Sequence, residues 1–287
     1  MPSSATPEPQ SFTTPGPITA QLEVGYGTVL VRAAERTETT VRVRPGNEAD
    51  DRDVQSAAQT QVDLTGGRLT VRGPRGRNPF HKIGAVVVEV ELPTGSEVQA
   101  TTGLGDVHCE GTLGDVRLKS ALGNVAVERA ATAALRTATG TVRAQHLDGN
   151  VEVHGAGRVE IGYVGGNLAV TNVNGETEVG EVLGETKVKS SNGSFAMGTA
   201  HAGVDVRSAL GGIRIARLTR GVIDLRTSTG EIELGVPETT AAWLDVHTRA
   251  GLVRNQLPAA GSPSDKPDRA EVHAHTSVGN ITVTRAA

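Results

Sequence analysis

Aromatic side chains are nearly missing from this chain: three Phe, two Tyr and one Trp stand among 287 residues. Sites that hold single-stranded nucleic acid stack bases on aromatic rings, and sugar sites commonly use the same platform, so both classes are disfavoured. The single cysteine, Cys109, excludes an intramolecular disulfide framework and a multi-cysteine zinc site. No run approaches eighteen consecutive apolar residues, so no membrane-spanning helix is predicted. A formal net charge of −4 removes bulk attraction to nucleic acid or to an anionic membrane. The opening MPSSATPEPQSFTTPGP lacks both the basic and the apolar segment of a secretory signal. Cytoplasmic residence is the resulting expectation, with the cell surface reached only by an unrecognised export route.

Glycine is what the chain has in excess, 36 of 287 residues, without a three-residue collagen period. Ten glycines sit in phrases of one type, among them TTGLGDV around Gly105, SALGNV around Gly123, TATGTV around Gly140, SALGGI around Gly211 and TSTGEI around Gly230. Gly157, Gly175, Gly193, Gly251 and Gly279 complete the series. Successive spacings are 18, 17, 17, 18, 18, 18, 19, 21 and 28 residues. A period just under twenty, filled with short alternating segments, predicts an all-β fold: a single β-solenoid of the β-helix or β-roll kind, with coils of about 17–19 residues stacked in sequence order.

Counting from each glycine tests that register. Two residues after it come Val107, Val125, Val142, Val159, Thr177, Phe195, Ile213, Ile232, Val253 and Ile281. Four after it come Cys109, Val127, Ala144, Ile161, Val179, Met197, Ile215, Leu234, Asn255 and Val283. Five before it come Leu118, Leu135, Val170, Val188, Val206, Leu225 and Val246. These read as aliphatic columns facing inward with a period of two. Three before the glycine stands a small polar residue, as in Thr102, Ser120, Asn172, Ser208 and Thr227. Such side chains near a bend are suited to bonding from coil to coil or to the turn backbone.

Three regions are expected. Residues 1–17, rich in Pro, Ser and Thr, read as a disordered tail. Residues 18–97 read as an N-terminal cap and first irregular coil, because a solenoid end exposes strand edges that need covering. Within it, EADDRDVQSAAQTQ at 48–61 predicts one short helix, Gly66-Gly67 a hairpin, 74–82 a loop, and AVVVEVELP at 85–93 a strand buried on both faces. Residues 98–285 form the regular solenoid, interrupted by a Pro-rich loop at 257–270.

The outward position four before each glycine carries Lys189, Arg207, Arg226, His247 and His275, a basic stripe that forms the candidate face for a partner or an anion. Asp205, Asp224 and Asp245 stand two residues earlier and are expected to neutralise much of it. His273 and His275 share an outer face without a supporting Cys or carboxylate trio, so no metal is expected. Cys109 in an aliphatic column reads as a buried, inert thiol. The pairs Glu176/Glu178 and Glu231/Glu233 invite comparison with polysaccharide-active β-helices, but lie about three coils apart and lack long flanking loops. No aspartate column suited to calcium follows the glycines, and no Walker lysine accompanies them. No cofactor and no catalytic residue are expected.

The ordered series AVVVEVELPTGSEV, TTGLGDVHCEGTLGDVRLKSALGNV and the later turn phrases resembles the bacterial putative-adhesin family of β-strand-repeat proteins, a domain-of-unknown-function family. LEVGYGTVLVRAAERTETTVRVR and GGRLTVRGPRG fit the same pattern, so the resemblance covers roughly residues 18–285. It implies a solenoid with no established catalytic residues. The expectation is a non-enzymatic structural or interaction scaffold whose partner is a protein or a repetitive polymer. A filament-forming β-helix of the bactofilin type is the alternative, and a polysaccharide-active enzyme the third.

Overall fold

The computed structural model describes residues 9–74, 84–257 and 267–286. The chain divides into two compact units, one ending at Gln145 and the other beginning at His146. Both are built almost wholly from β-strands, and the one helix among the described residues lies in the first.

The first unit contains β1 (Gln10–Thr13), β2 (Thr19–Ala34), β3 (Glu38–Pro45), α1 (Asp51–Gln59), β4 (Gln61–Thr65), β5 (Arg68–Arg72), β6 (Val86–Pro93), β7 (Glu97–Leu104), β8 (Val107–Leu122) and β9 (Val125–Thr139). Strand β2 acts as two strands joined at a corner. Its first half runs parallel to β5 and β7, and its second half, beyond Gly27, runs parallel to β6 and β8. Strands β7, β8 and β9 then stack in parallel, with Ala100, Leu118 and Leu135 in one buried row. At the other side of the unit β3 lies antiparallel on β6 and β1 antiparallel on β3. Residues 10–13, expected in a disordered tail, therefore form a strand, because the edge of β3 offers them backbone partners. Residues 1–8 lie outside the described residues.

Helix α1 falls inside the predicted 48–61 segment. Asp50 caps it by accepting the Arg52 N–H at 3.0 Å, and Asp51 and Asp53 place negative charge in its first turn. Its buried polar side chains are all used: Asp53 accepts the N–H groups of Asn47 and Ala85, and Ser56 that of Gly84. The expected hairpin at Gly66-Gly67 joins β4 to β5. One expectation fails: β6 is not buried on both faces. Val86, Val88, Val90 and Leu92 are buried, whereas Val87, Glu89 and Glu91 are half-exposed. That outer row carries charge, Glu91 pairing with Arg36 and Glu89 with Arg44 and Arg42. The loop expected at 74–82 lies outside the described residues apart from Pro74.

Strand β10 (Val142–Leu147) carries the chain into the second unit. There follow β11 (Val151–Gly155), β12 (Val159–Val164), β13 (Leu168–Asn174), β14 (Thr177–Val182), β15 (Thr186–Asn192), β16 (Phe195–Ala200), β17 (Val204–Leu210), β18 (Ile213–Leu218), β19 (Gly221–Thr229), β20 (Ile232–Val236), β21 (Thr240–Ala250), β22 (Val253–Asn255), β23 (Asp268–Val278) and β24 (Ile281–Arg285). Odd-numbered strands stack on odd and even on even, all in parallel, as a solenoid requires. Val188, Val206 and Leu225 occupy one column and are fully buried.

The last two coils do not stack in sequence order. Strand β19 pairs with β23, and β23 with β21; likewise β20 pairs with β24, and β24 with β22. The C-terminal coil is inserted, and β21 and β22 form the outermost coil. The side chains explain the order. Val272, Ala274, Ile281 and Val283 are completely buried, while Asn255, which would put an amide into the aliphatic column, lies exposed at the end. The connection expected at 257–270 falls largely outside the described residues, but residues 268–270 belong to β23.

The turn glycines form a ladder of close backbone approaches. At Gly211, with φ of +138°, an added Cβ would lie 2.2 Å from the carbonyl oxygen of Gly193; at Gly105, with φ of +140°, it would lie 1.9 Å from that of Gly27. The small polar column serves the same corners. Thr137 donates to the Gly123 carbonyl at 2.8 Å, Thr227 to Gly211 at 3.0 Å and Thr276 to Gly230 at 3.0 Å.

Candidate partner-binding face

In the second unit the odd strands bring the predicted basic residues into one outward column. Its spatial order is Lys189, Arg207, Arg226, His275, His247, with the two histidines exchanged relative to the sequence by the inserted coil. Adjacent strands in a sheet lie about 4.8 Å apart, and the His275 and His247 ring centroids are 6.3 Å apart. All five residues are thus gathered on one face.

A second outward column runs beside it: Lys187, Asp205, Asp224, His273, Asp245. Arg226 makes two 2.8 Å bonds to the Asp224 carboxylate, and Arg207 donates to Asp205 at 3.2 Å. Each guanidinium is answered on its own strand. His273 lies 3.4 Å from Asp245 and 3.1 Å from Glu271. Desolvation lowers the His273 pKa, but the two carboxylates outweigh it and raise the value above the ordinary histidine range. Strand β15 differs. Lys187 and Lys189 both point outward, and neither has a carboxylate partner among the described residues. The face is therefore neutralised along β17 and β19 and cationic at β15. Lys187 was missed by counting from the glycine alone; its position two residues before Lys189 on the same face was the available signal.

The other candidates resolve into structural contacts. Glu176 and Glu178 gather with Glu160 around the Arg158 guanidinium, at 3.8, 3.1 and 2.6 Å respectively. Glu231 accepts from the Asn280 amide at 3.0 Å, and Glu233 lies 3.5 Å from Arg214. Each of the four carboxylates thus meets a guanidinium or an amide. Cys109 is completely buried, and burial pushes its thiol pKa up to about 12. Among the described residues no three His, Cys, Asp or Glu side chains form a metal-holding group, and no helix is long and apolar enough to cross a membrane.

Two surface features of the first unit were not anticipated. Tyr26, Leu104 and Leu122 align in register at one corner, each 41–49% exposed, as an apolar ladder. The signal was the residue immediately before each turn glycine, aliphatic in TTGLG and SALG. Next to that corner lies a shallow groove of about 590 Å³ whose lining includes Leu30, His108, Glu110, Ala126, Glu128 and Arg143. Its charges are largely engaged: Glu110 pairs with Arg32 and His108, and Glu128 accepts the Gly111 N–H at 2.8 Å.

The family described as Toastrack DUF4097 matches residues 21–284. The chain belongs to that family. No curated protein matches it. Among solved structures it is similar to a putative adhesin from Bacteroides fragilis NCTC 9343, at 14% identity over 96% of each chain with a TM-score of 0.35. A putative adhesin from Parabacteroides distasonis ATCC 8503 shows 10% identity over 96% of each chain and a TM-score of 0.38. A putative lipid binding protein from the same strain shows 9% identity over 99% of this chain and 98% of that one, with a TM-score of 0.36. The expected membership in a β-strand-repeat family of unknown function is thereby established, and with it the solenoid.

Proposed function

We propose that this Toastrack chain is a non-enzymatic interaction scaffold that binds an extended acidic partner, protein or polymer, along the outer face of β15, β17 and β19. The observation that carries this reading is the unanswered Lys187–Lys189 pair, continued in register by Arg207 and Arg226. A partner with regularly spaced carboxylates or phosphates can meet the lysines directly and compete with Asp205 and Asp224 for the arginines. The carboxylate pairs, taken up by Arg158, Arg214 and Asn280, support a binding rather than a hydrolytic role.

Retention on immobilised poly-glutamate tests the face. Binding at low salt that falls with added salt, and falls further in Lys187→Ala/Lys189→Ala, is the expected outcome. Arg207→Ala/Arg226→Ala should keep the fold and weaken retention less, because Asp205 and Asp224 already hold those charges. Retention indifferent to salt and to the lysine change rejects the reading.

The exposed edge of β21 supports a second reading, self-association, of which the bactofilin-like filament is one form. A filament needs a second long open edge, whereas in the first unit the strands left with an unpaired edge among the described residues include only the short β1 and β4 at its antiparallel side. Long, concentration-dependent filaments in electron micrographs would establish that form.

A further inference from the structure

Among the described residues β21 pairs only with β23, and β22 only with β24, so the outermost coil of the second unit leaves a row of backbone groups without strand partners. Its side chains are those of an interior coil left without a neighbour. Leu244 and Val246 are half-buried where Val272 and Ala274, their partners on β23, are completely buried; Val253 is 44% exposed, and Trp243 and Leu252 are each 58% exposed. A long open edge of this kind pairs with another strand unless a bulge, proline or uncompensated charge blocks it. β21 contains no proline.

The charge order on β21 selects the partner. Its outward residues run Trp243, Asp245, His247, Arg249, acidic before basic. In-register parallel pairing with a second copy would set Asp245 against Asp245 and Arg249 against Arg249. Antiparallel pairing about His247 sets Asp245 of each copy against Arg249 of the other, and on the inner face Val246 against Thr248 and Leu244 against Ala250. Arg249 has no ion-pair partner within its own chain among the described residues.

We propose that the free edge of β21 pairs antiparallel with the same edge of a second copy, related by a two-fold axis at His247, to give a closed dimer. The contact is isologous, so it uses the β21 edge of each copy and stops at two. This does not depend on the acidic-partner reading, which concerns the sheet face rather than its edge.

Sedimentation equilibrium of the full chain tests it. The expected result is twice the chain mass for the unaltered protein, half that mass for Arg249→Asp and for Asp245→Arg, and recovery of the full mass in the double exchange. Circular dichroism checks that each variant is folded. Should Asp245→Arg fail to fold through loss of its contact with His273, Arg249→Asp alone decides, since that side chain is exposed and has no ion-pair partner among the described residues. A monomer at all concentrations, a dimer unaffected by Arg249→Asp, or open-ended oligomers would each overturn the proposal.

Discussion

The His273 imidazole on β23 stands 3.4 Å from the Asp245 carboxylate on β21 and so joins the inserted coil to the outermost one. Glu271 approaches the other ring nitrogen at 3.1 Å, the Trp243 ring meets the imidazole edge-on at 5.5 Å, and Asp224 is its register partner on β19. Desolvation opposes protonation, but Asp245 and Glu271 outweigh it, and the folded-state pKa is raised. A raised histidine pKa stabilises the fold fully below the unfolded value, near 6.5, and that contribution is lost as pH rises through the folded value. Amide exchange in β21 should therefore accelerate, beyond its intrinsic pH dependence, as pH passes upward out of the histidine range. Asp245→Asn should flatten that response; an unchanged response would remove Asp245 as its source.

Gly211 cannot accept a side chain. At φ of +138° an L-residue is strained, and its Cβ would lie 2.2 Å from the Gly193 carbonyl oxygen, a backbone atom already stacked in the ladder. Gly211→Ala should cost more than about 3 kcal/mol, combining left-handed strain with displaced coils. Gly66→Ala is the control: its φ is +58° and nothing lies within 4 Å, so roughly 1 kcal/mol of conformational strain is expected. Urea denaturation of the two variants measures the difference, and equal losses would show that stacking at the corner does not matter.

The architecture could be read from periodicity because the stacked coils repeat one local rule, a residue two or four after a glycine being buried, and only the outermost coil departs from it, with Val253 and Asn255 exposed. Phe195 and Ile213, in adjacent coils, illustrate that rule. Coil order could not be read in the same way. Strands β21 and β23 both carry an acceptable alternation, and in-register stacking is compatible with either sequence of coils. The distinguishing signals were small: Asn255 in an otherwise aliphatic column, and Leu252 just past its turn glycine. Charge on the candidate face was similarly half-visible. The spacing located Arg207 and Arg226 and the Asp205 and Asp224 carboxylates that answer them, but not that Asp245 would turn to His273 on the inserted coil. The N-terminal strand β1 was hidden because its partner, the outer edge of β3, exists only once the cap has folded.

The hydroxyl column should divide into members that matter and members that do not. Thr227 donates to the Gly211 carbonyl at 3.0 Å, whereas the buried Ser190 and Ser208 hydroxyls have no hydrogen-bond partner among the described residues. Thr227→Val preserves shape and leaves the turn carbonyl without that donor, at a cost of about 1 kcal/mol. Ser208→Ala removes a buried polar group that gains nothing from the fold, so its effect should lie within about 0.5 kcal/mol of zero or be stabilising. Paired denaturation curves decide; a larger loss in Ser208→Ala would mean that its hydroxyl is bonded in solution.

Cys109 should be silent to alkylating reagents in the native state and visible in alkaline unfolding. Burial between Val31 and Val127 raises its pKa from 9.0 to about 12, so the folded chain keeps a neutral thiol where the unfolded chain holds a thiolate. The stabilising contribution is complete below pH 9 and is lost as pH climbs toward 12, with a slope of about 1.4 kcal/mol per pH unit inside that window. Lysine and tyrosine titrate over the same range, so the informative quantity is the difference between the unaltered chain and Cys109→Ala. That difference should stay constant below pH 9 and shrink steadily above it. Rapid labelling of Cys109 by iodoacetamide at neutral pH, without denaturant, would show instead that the column opens there.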